Sequence, residues 1–283
     1  MKFCPRQTRP APARRNDVPL DIGLSFVDQV CDLAVGAGRE VMAVFNSAFT
    51  VQTKDDDSPV TEADRRAERL ITETIRKDIT ERFLIVGEEA AADGFMPDVR
   101  GQTFWLVDPL DGTKEFVKRG TDFTVNIALI ENGRPVLGVV HLPVTGDTFW
   151  GSRHGAFTRT GDGAPRPIAC RPHPAGGIVA VASKSHRTPE TDAYLKRFAI
   201  RREISVGSSL KFCRVASGDA DLYPRLGRTM EWDTAAGHGV LHFAGGTVKT
   251  LEGQELSYGK PGFENPSFVA SGPGVIEAVR HPA

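Results

Sequence analysis

Asp108 and Asp111 stand three residues apart at the end of the apolar run Phe104-Trp-Leu-Val107, separated by Pro109 and Leu110 and followed by Gly112-Thr113. Two carboxylates held that close repel by about 4 kcal/mol at ~4 Å and an effective dielectric of ~20, unless a cation lies between them. Gly112 and Thr113 bring backbone N–H groups that can face a phosphate where a helix begins. Oxygen ligands for Mg²⁺ beside an anion-binding turn are the parts needed for metal-assisted hydrolysis of a phosphate ester.

Other acidic groups occupy comparable places. Glu88 follows an apolar strand and Asp233 opens a helix. Each has an ordinary explanation alone, since Asp111 suits a turn and Asp233 complements a helix dipole. As a set they stand beside Gly, Pro or Trp at strand and helix ends, where α/β proteins build their sites. Thr61-x-x-Asp64 resembles a capping box, so Asp64 has a structural and a chemical reading. His238 and His242 share a helical face, but the glutamate of a zinc H-E-x-x-H motif is missing, which favours packing. Lys211, Arg214 and Arg225 are either phosphate-binding or ordinary surface cations, and the run Asp55–Asp57 reads as a solvated loop.

The elements that must position these groups follow from periodicity. Apolar residues from Ile22 to Phe45 predict an amphipathic helix over 21–46, and a second helix is expected over 63–79 behind Thr61. Short strands are expected at 49–53 and 83–86, and strands 125–130 and 136–141 flank Asn132-Gly133, a hairpin signal. Beyond residue 150 strand and helix alternate: strands at 178–182 and 221–223, helices at 189–198, 210–216 and 232–243. The pattern predicts a layered α/β sandwich of two subdomains, 21–150 and 151–283, behind a basic, Pro-rich segment 1–20.

Composition narrows the partners. The 283 residues suffice for one large or two modest domains, and a net charge of −1 gives no support to nucleic-acid binding. Cys4, Cys31, Cys170 and Cys213 form no C-x-x-C pair and read as reduced thiols of a cytoplasmic protein. No apolar run reaches the ~20 residues that span a bilayer. Segment 1–20, with Lys2, Arg6, Arg9, Arg14 and Arg15 among prolines, reads as a disordered tail; the alternative is weak peripheral contact with an anionic inner membrane face.

Gly87-Glu88-Glu89, Asp108-Pro-Leu-Asp-Gly-Thr113 and Trp232-Asp-Thr-Ala-Ala-Gly237 resemble the three signature motifs of the inositol monophosphatase superfamily, over roughly residues 24–270. Asp111-Gly-Thr-Lys-Glu-Phe116, Phe123-Thr-Val-Asn-Ile-Ala-Leu129, Gly207-Ser-Ser-Leu-Lys-Phe-Cys213 and Leu222-Tyr-Pro-Arg225 are most similar to its CysQ-type 3'(2'),5'-bisphosphate nucleotidases. The resemblance implies an αβαβα fold and a lithium-sensitive phosphatase using two or three Mg²⁺ ions. It also implies release of the 3'-phosphate of adenosine 3',5'-bisphosphate, a by-product of sulfate assimilation. Glu88, Asp108 and the Leu110 carbonyl would hold the first metal, and Asp108, Asp111 and Asp233 the second. Gly112 and Thr113 would bind the scissile phosphate, and Thr113 with Asp64 would orient the attacking water. We place the nucleotide against Ser208, Ser209, Lys211 and Arg225, with the metal ligands Glu88, Leu110, Asp111 and Asp233 also reaching the substrate. An inositol or sugar monophosphatase and a non-catalytic nucleotide sensor are the competing functions, and the oligomeric state stays open. Two departures are Gly87, where CysQ-type nucleotidases carry Ser, and Met230-Glu231, where apolar residues are more familiar.

Overall fold

The computed structural model describes residues 21–53, 59–185 and 187–276, so the tail, Cys4 and the Asp55–Asp57 run lie outside the described residues. Helix α1 (Leu24–Phe45) buries Val27, Val30, Ala34, Ala37, Val41 and Val44. Strands β1 (Val51–Thr53) and β2 (Pro59–Thr61) form a small antiparallel ladder. Helix α2 (Glu62–Thr74) follows and widens into a π-helical turn at Ile75–Ile79. Strand β3 (Leu84–Gly87), the short helix α3 (Glu88–Ala92), β4 (Phe104–Asp111) and the short helix α4 (Thr113–Val117) come next. The hairpin β5 (Thr124–Glu131) and β6 (Arg134–Leu142) turns at Asn132 and Gly133, at φ of 52° and 73°. The chain then forms β7 (Asp147–Ser152), β8 (Gly155–Thr160) and β9 (Arg166–Pro167).

Strands β3 to β9 lie in sequence order in one seven-stranded sheet, antiparallel except for the β3–β4 pair. The subdomain boundary expected near residue 150 therefore falls inside β7, and the first sheet continues to Pro167. The remaining elements are β10 (Ile178–Ser183), α5 (Pro189–Leu195), β11 (Ile200–Val206), α6 (Leu210–Ala216), β12 (Leu222–Arg225), α7 (Glu231–Phe243), β13 (Thr247–Thr250) and β14 (Phe268–Ser271). Their strands form a second sheet in the order β11-β10-β12-β14-β13.

Side-chain alternation explains the layering. On β4, Trp105 and Val107 join α1 and α2 in one core, whereas Phe104 and Leu106 join α6 and α7 in another. On β10, Val179 and Val181 face that second core, while Ile178 and Ala180 face Leu195 of α5. Helices, sheet, helices, sheet and helix are thus stacked in five layers, the expected αβαβα sandwich. Helix α7 lies almost backbone to backbone on the first sheet. A Cβ on Gly138 would stand 2.2 Å from the Ala236 carbonyl oxygen, and one on Gly151 2.6 Å from that of Gly239. The Ala/Gly-rich composition of α7 is therefore a contact requirement, and it brings the α7 N-terminus over the end of β4. His238 is buried with Nδ1 2.9 Å from the Tyr258 hydroxyl, while His242 is exposed and meets it edge to face, so both pack as the sequence favoured. Among the described residues no helix is long and apolar enough to cross a membrane.

Candidate active site

The pairing of β4 with β5 places the two aspartates. Asp108 is opposite Asn126 and Asp111 opposite Thr124, so two residues of β4, Pro109 and Leu110, oppose the single Val125. Residues three apart on a regular strand point to opposite faces; one inserted residue turns them to the same side. The bulge sends Asp108 and Asp111 into one cavity, which Leu110 also lines. Gly112 ends the strand at φ 93°, and a Cβ there would press on the backbone of Asp122 and Phe123. Thr113 then opens α4.

Glu88 reaches the cavity from the first residue of α3. That helix is tied down by Glu68, whose carboxylate accepts the N–H groups of Glu89 and Ala90, each at 2.8 Å. A Cβ on Gly87 would lie 2.5 Å from the Glu68 carboxyl carbon. The glycine that departs from the nucleotidase pattern thus makes room for a buried carboxylate beneath the site.

Asp64 satisfies both of its readings. Its Oδ2 accepts the Thr61 N–H at 2.7 Å and the Thr61 hydroxyl at 2.8 Å, completing a capping box, while Oδ1 lies 3.4 Å from the Thr113 hydroxyl. Thr113 has a second acceptor in the Leu110 carbonyl at 3.1 Å, and its single proton can serve one acceptor at a time. Burial raises the Asp64 carboxyl to about 7, against the opposing hydrogen bonds from Thr61.

Asp233 enters from the first turn of α7, with Oδ2 accepting the Met230 N–H at 2.9 Å. Its carbonyl accepts the Ser209 hydroxyl at 2.8 Å, and Ser209 in turn accepts from Asn126 Nδ2 at 3.0 Å. Asn126 Nδ2 also lies 3.5 Å from Asp111 Oδ2. Ser209 is therefore buried behind the cavity wall, linking β5, the neighbour of the strand that bears Asp111, to the helix that bears Asp233.

The cavity enclosed by these groups measures about 820 Å³. Burial, then repulsion from Glu88, Asp111 and Asp233, holds the Asp108 carboxyl well above the ordinary carboxylate range. Asp111 is raised by burial, with Lys211 opposing, and Asp233 is raised by burial and by Asp111 and Glu88. Among the described residues no three acidic, cysteine or histidine groups close into a finished cage. The donors are nonetheless all oxygen, mutually repelling and open to the cavity, which fits an ion such as Mg²⁺ that keeps waters and takes substrate oxygens as ligands.

The opposite wall is basic. Lys211 is 5% exposed, donates from Nζ to the Ser208 carbonyl at 2.6 Å and stands 5.4 Å over the Tyr223 ring. Burial lowers its ammonium to about 8, with Asp111 opposing. Ser208 is held at φ 44°, uncommon for a non-glycine residue, by contacts on both sides of the turn. Arg225 donates to the Arg228 carbonyl at 3.0 Å, and its buried Nε has no hydrogen-bond partner among the described residues. Arg214 pairs with Asp219 on the surface, away from the cavity.

Glu68, Asn126 and Glu115 were not singled out by sequence reasoning. Glu115 is buried, lines the cavity and accepts the Ser185 hydroxyl. The available signals were a glutamate four positions after Asp64 on the buried face of α2 and an asparagine inside the apolar strand β5.

Comparison with known proteins gives a consistent relationship. A family model described as the inositol monophosphatase family matches residues 24–281. The 3'(2'),5'-bisphosphate nucleotidase CysQ of Salmonella typhimurium is 44% identical over 248 residues, 86% of this chain and 98% of that protein. CysQ of Escherichia coli K12 is 43% identical over 249 residues, 87% of this chain and 99% of that protein. Among solved structures, CysQ from Bacteroides thetaiotaomicron superposes with a TM-score of 0.73 at 35% identity, covering 88% of this chain and 97% of its own. An IMPase from Thermotoga maritima gives a TM-score of 0.74 at 28% identity, covering 90% and 95%.

Proposed function

The chain belongs to the inositol monophosphatase family, and we propose that it is a Mg²⁺-dependent nucleotidase removing the 3'-phosphate of adenosine 3',5'-bisphosphate. The observation that carries this reading is the polarity of one cavity: Glu88, Asp108, Asp111 and Asp233 on one side, buried Lys211 and half-buried Arg225 on the other. The acidic side suits metals and a scissile phosphate. The basic side suits a second anionic group, which an inositol monophosphate lacks. Of the departing residues, Gly87 and Glu231 do not line the cavity and Met230 does, so only Met230 bears on the choice of substrate.

Glu88, Asp108 and the Leu110 carbonyl would hold one metal, and Asp108, Asp111 and Asp233 a second. When bound, such ions supply charge stabilisation for the phosphoryl oxygens and acidify a water towards neutral pH. The chain's own residues do the rest. With its proton turned to Asp64, the Thr113 hydroxyl presents a lone pair that accepts from the attacking water. Asp64, whose buried carboxyl is raised above the ordinary carboxylate range, is placed to take that proton. The water oxygen forms the new P–O bond as the bond to the ribose 3'-oxygen breaks; the water's proton stays with Thr113 and Asp64, and the leaving oxygen, on the far side of the phosphorus, takes a proton from solvent. Gly112 and Thr113 offer backbone N–H groups to the phosphate. Ser208, Lys211 and Arg225 hold the nucleotide through its 5'-phosphate, so that remote binding energy orients the reacting group. Free Cys31, Cys170 and Cys213 suit a reducing cytoplasm.

The test is phosphate release from adenosine 3',5'-bisphosphate and from inositol 1-phosphate side by side, with Mg²⁺ or EDTA. The nucleotidase reading expects a higher kcat/KM on the bisphosphate that vanishes in EDTA. A higher value on inositol phosphate replaces it with the monophosphatase reading, and no release from either leaves a nucleotide-binding protein.

A further inference from the structure

Glu231 stands two residues before Asp233, yet it is fully buried and turned away from the cavity. Its carboxylate gathers one turn of a distant segment: Oε2 accepts the Gly259 N–H at 2.7 Å and Oε1 the Lys260 N–H at 2.9 Å. Oε1 also lies 2.6 Å from the Lys260 ammonium. Lys260 donates further to Asn265 Oδ1 at 3.2 Å. From its other end Asn265 donates to the Met230 carbonyl at 2.8 Å and to Thr234 Oγ1 at 3.0 Å, and its N–H reaches the Thr229 carbonyl at 2.9 Å. The strap 257–265 thus holds residues 229–234 from outside. The last bond in the series is the Met230 N–H on Asp233 Oδ2.

The strap does not keep this shape cheaply. Gly259, Gly262 and Phe263 have φ of 86°, 78° and 54°, the last in a region that disfavours a large side chain. A buried ion pair is also a poor way to gain stability, because desolvation offsets its attraction and an apolar pair of similar volume does as well or better. Its worth lies in directed geometry.

We propose that Glu231 and Lys260 are positioning residues for Asp233: their clamp seats the strap, the strap fixes the Met230 N–H, and that bond aims the Asp233 carboxylate at the metal. The inference rests on the reading of Asp233 as a metal ligand. Partners that orient a ligand set metal affinity by about ten- to a hundred-fold.

The test uses the full chain and Mn²⁺ as probe, followed by the paramagnetic resonance of the free ion, alongside the Mg²⁺ dependence of turnover. Glu231→Gln and Lys260→Met should each weaken Mn²⁺ binding about ten-fold and raise the half-saturating Mg²⁺ by the same factor, with kcat recovering at high Mg²⁺. The double variant Glu231→Gln/Lys260→Met removes both charges at similar volume. Its Mn²⁺ affinity should stay reduced at temperatures well below its unfolding midpoint, where the variant is folded. A folded variant without the clamp that binds Mn²⁺ as tightly as wild type overturns the proposal. Asp233→Asn is run beside them: if it alone weakens binding, the clamp is refuted, and if it binds normally, the ligand reading and the clamp fall together.

Discussion

Substituting Gly87 by Ala should be destabilising in the native protein and stabilising once Glu68 is removed. The backbone at Gly87 is extended (φ −109°, ψ 157°), so any residue can adopt it. The obstacle is Glu68: a new Cβ would lie 2.5 Å from its carboxyl carbon and 2.6 and 2.7 Å from its oxygens. The end of a flexible side chain can swing aside, but the N–H groups of Glu89 and Ala90 then lose their acceptor. Two hydrogen bonds to a charged group contribute about 3–6 kcal/mol together. Burial works against these bonds and raises the Glu68 carboxyl to about 7, so the loss lies at the low end of that range, about 3 kcal/mol. In a Glu68→Ala background nothing stands in the way, and Gly→Ala at a permissive position stabilises by about 0.4–1 kcal/mol through the unfolded chain.

Urea unfolding of the four proteins of this cycle in EDTA, read by tryptophan fluorescence, measures both steps. The sign should reverse between backgrounds. Equal costs would refute the idea that Gly87 exists to admit Glu68. Because the same contact seats the helix bearing Glu88, Gly87→Ala should also raise the Mg²⁺ needed for half-maximal turnover.

Asp108→Asn should abolish turnover yet leave the metal-free protein at least as stable, since it relieves a buried charge repelled by Glu88, Asp111 and Asp233; calorimetry in EDTA showing a large fall in Tm would contradict this. Gly138→Ala should cost several times more than an exposed Gly176→Ala control, because its Cβ meets the Ala236 carbonyl at 2.2 Å while one on Gly176 meets nothing within 4 Å, and equal urea midpoints would dismiss the close contact. Burial lowers His141 to about 4, so between pH 6.5 and 4 only the unfolded chain takes that proton, and the contribution of His141 to stability falls by about 3 kcal/mol as pH drops through that window, against the raised carboxyls of Asp64, Glu68 and Asp233, which contribute with the opposite sign. A His141→Gln variant with the same pH–stability slope would exclude that origin. Lys211→Ala should lower kcat/KM on adenosine 3',5'-bisphosphate about ten- to a hundred-fold and much less on a nucleoside 3'-monophosphate; equal losses would move Lys211 from the nucleotide to the catalytic carboxylates.

Elements with local signals were legible. The Asn132-Gly133 turn, the apolar strands β4 and β10 and the helix α6 all lie where periodicity puts them. Strand β11 was not recognised, because Arg201, Arg202 and Glu203 interrupt it with charge; it is an edge strand, where charge discourages pairing with other chains. Strands β7 and β8 are short and glycine-bounded, which made the end of the first sheet look like a boundary. The acidic groups at element ends were visible as a set, but their convergence was not. It depends on a bulge in β4 that exists only in register with β5, and Pro109, which cannot donate to the ladder of a central strand, is its one local sign.

Glu231 marks a different limit, one of inference and not of information. Beside Asp233 in sequence, it looked like a comment on the substrate. Yet two positions on a helix are about 200° apart, so if Asp233 at the start of α7 looks into the cavity, Glu231 must look out of it. The same reasoning covers Gly87, which precedes the ligand Glu88 but faces Glu68. Departures beside a ligand therefore report first on what holds that ligand, and the substrate is read from residues that share the cavity, here Ser208, Lys211, Arg225 and Met230.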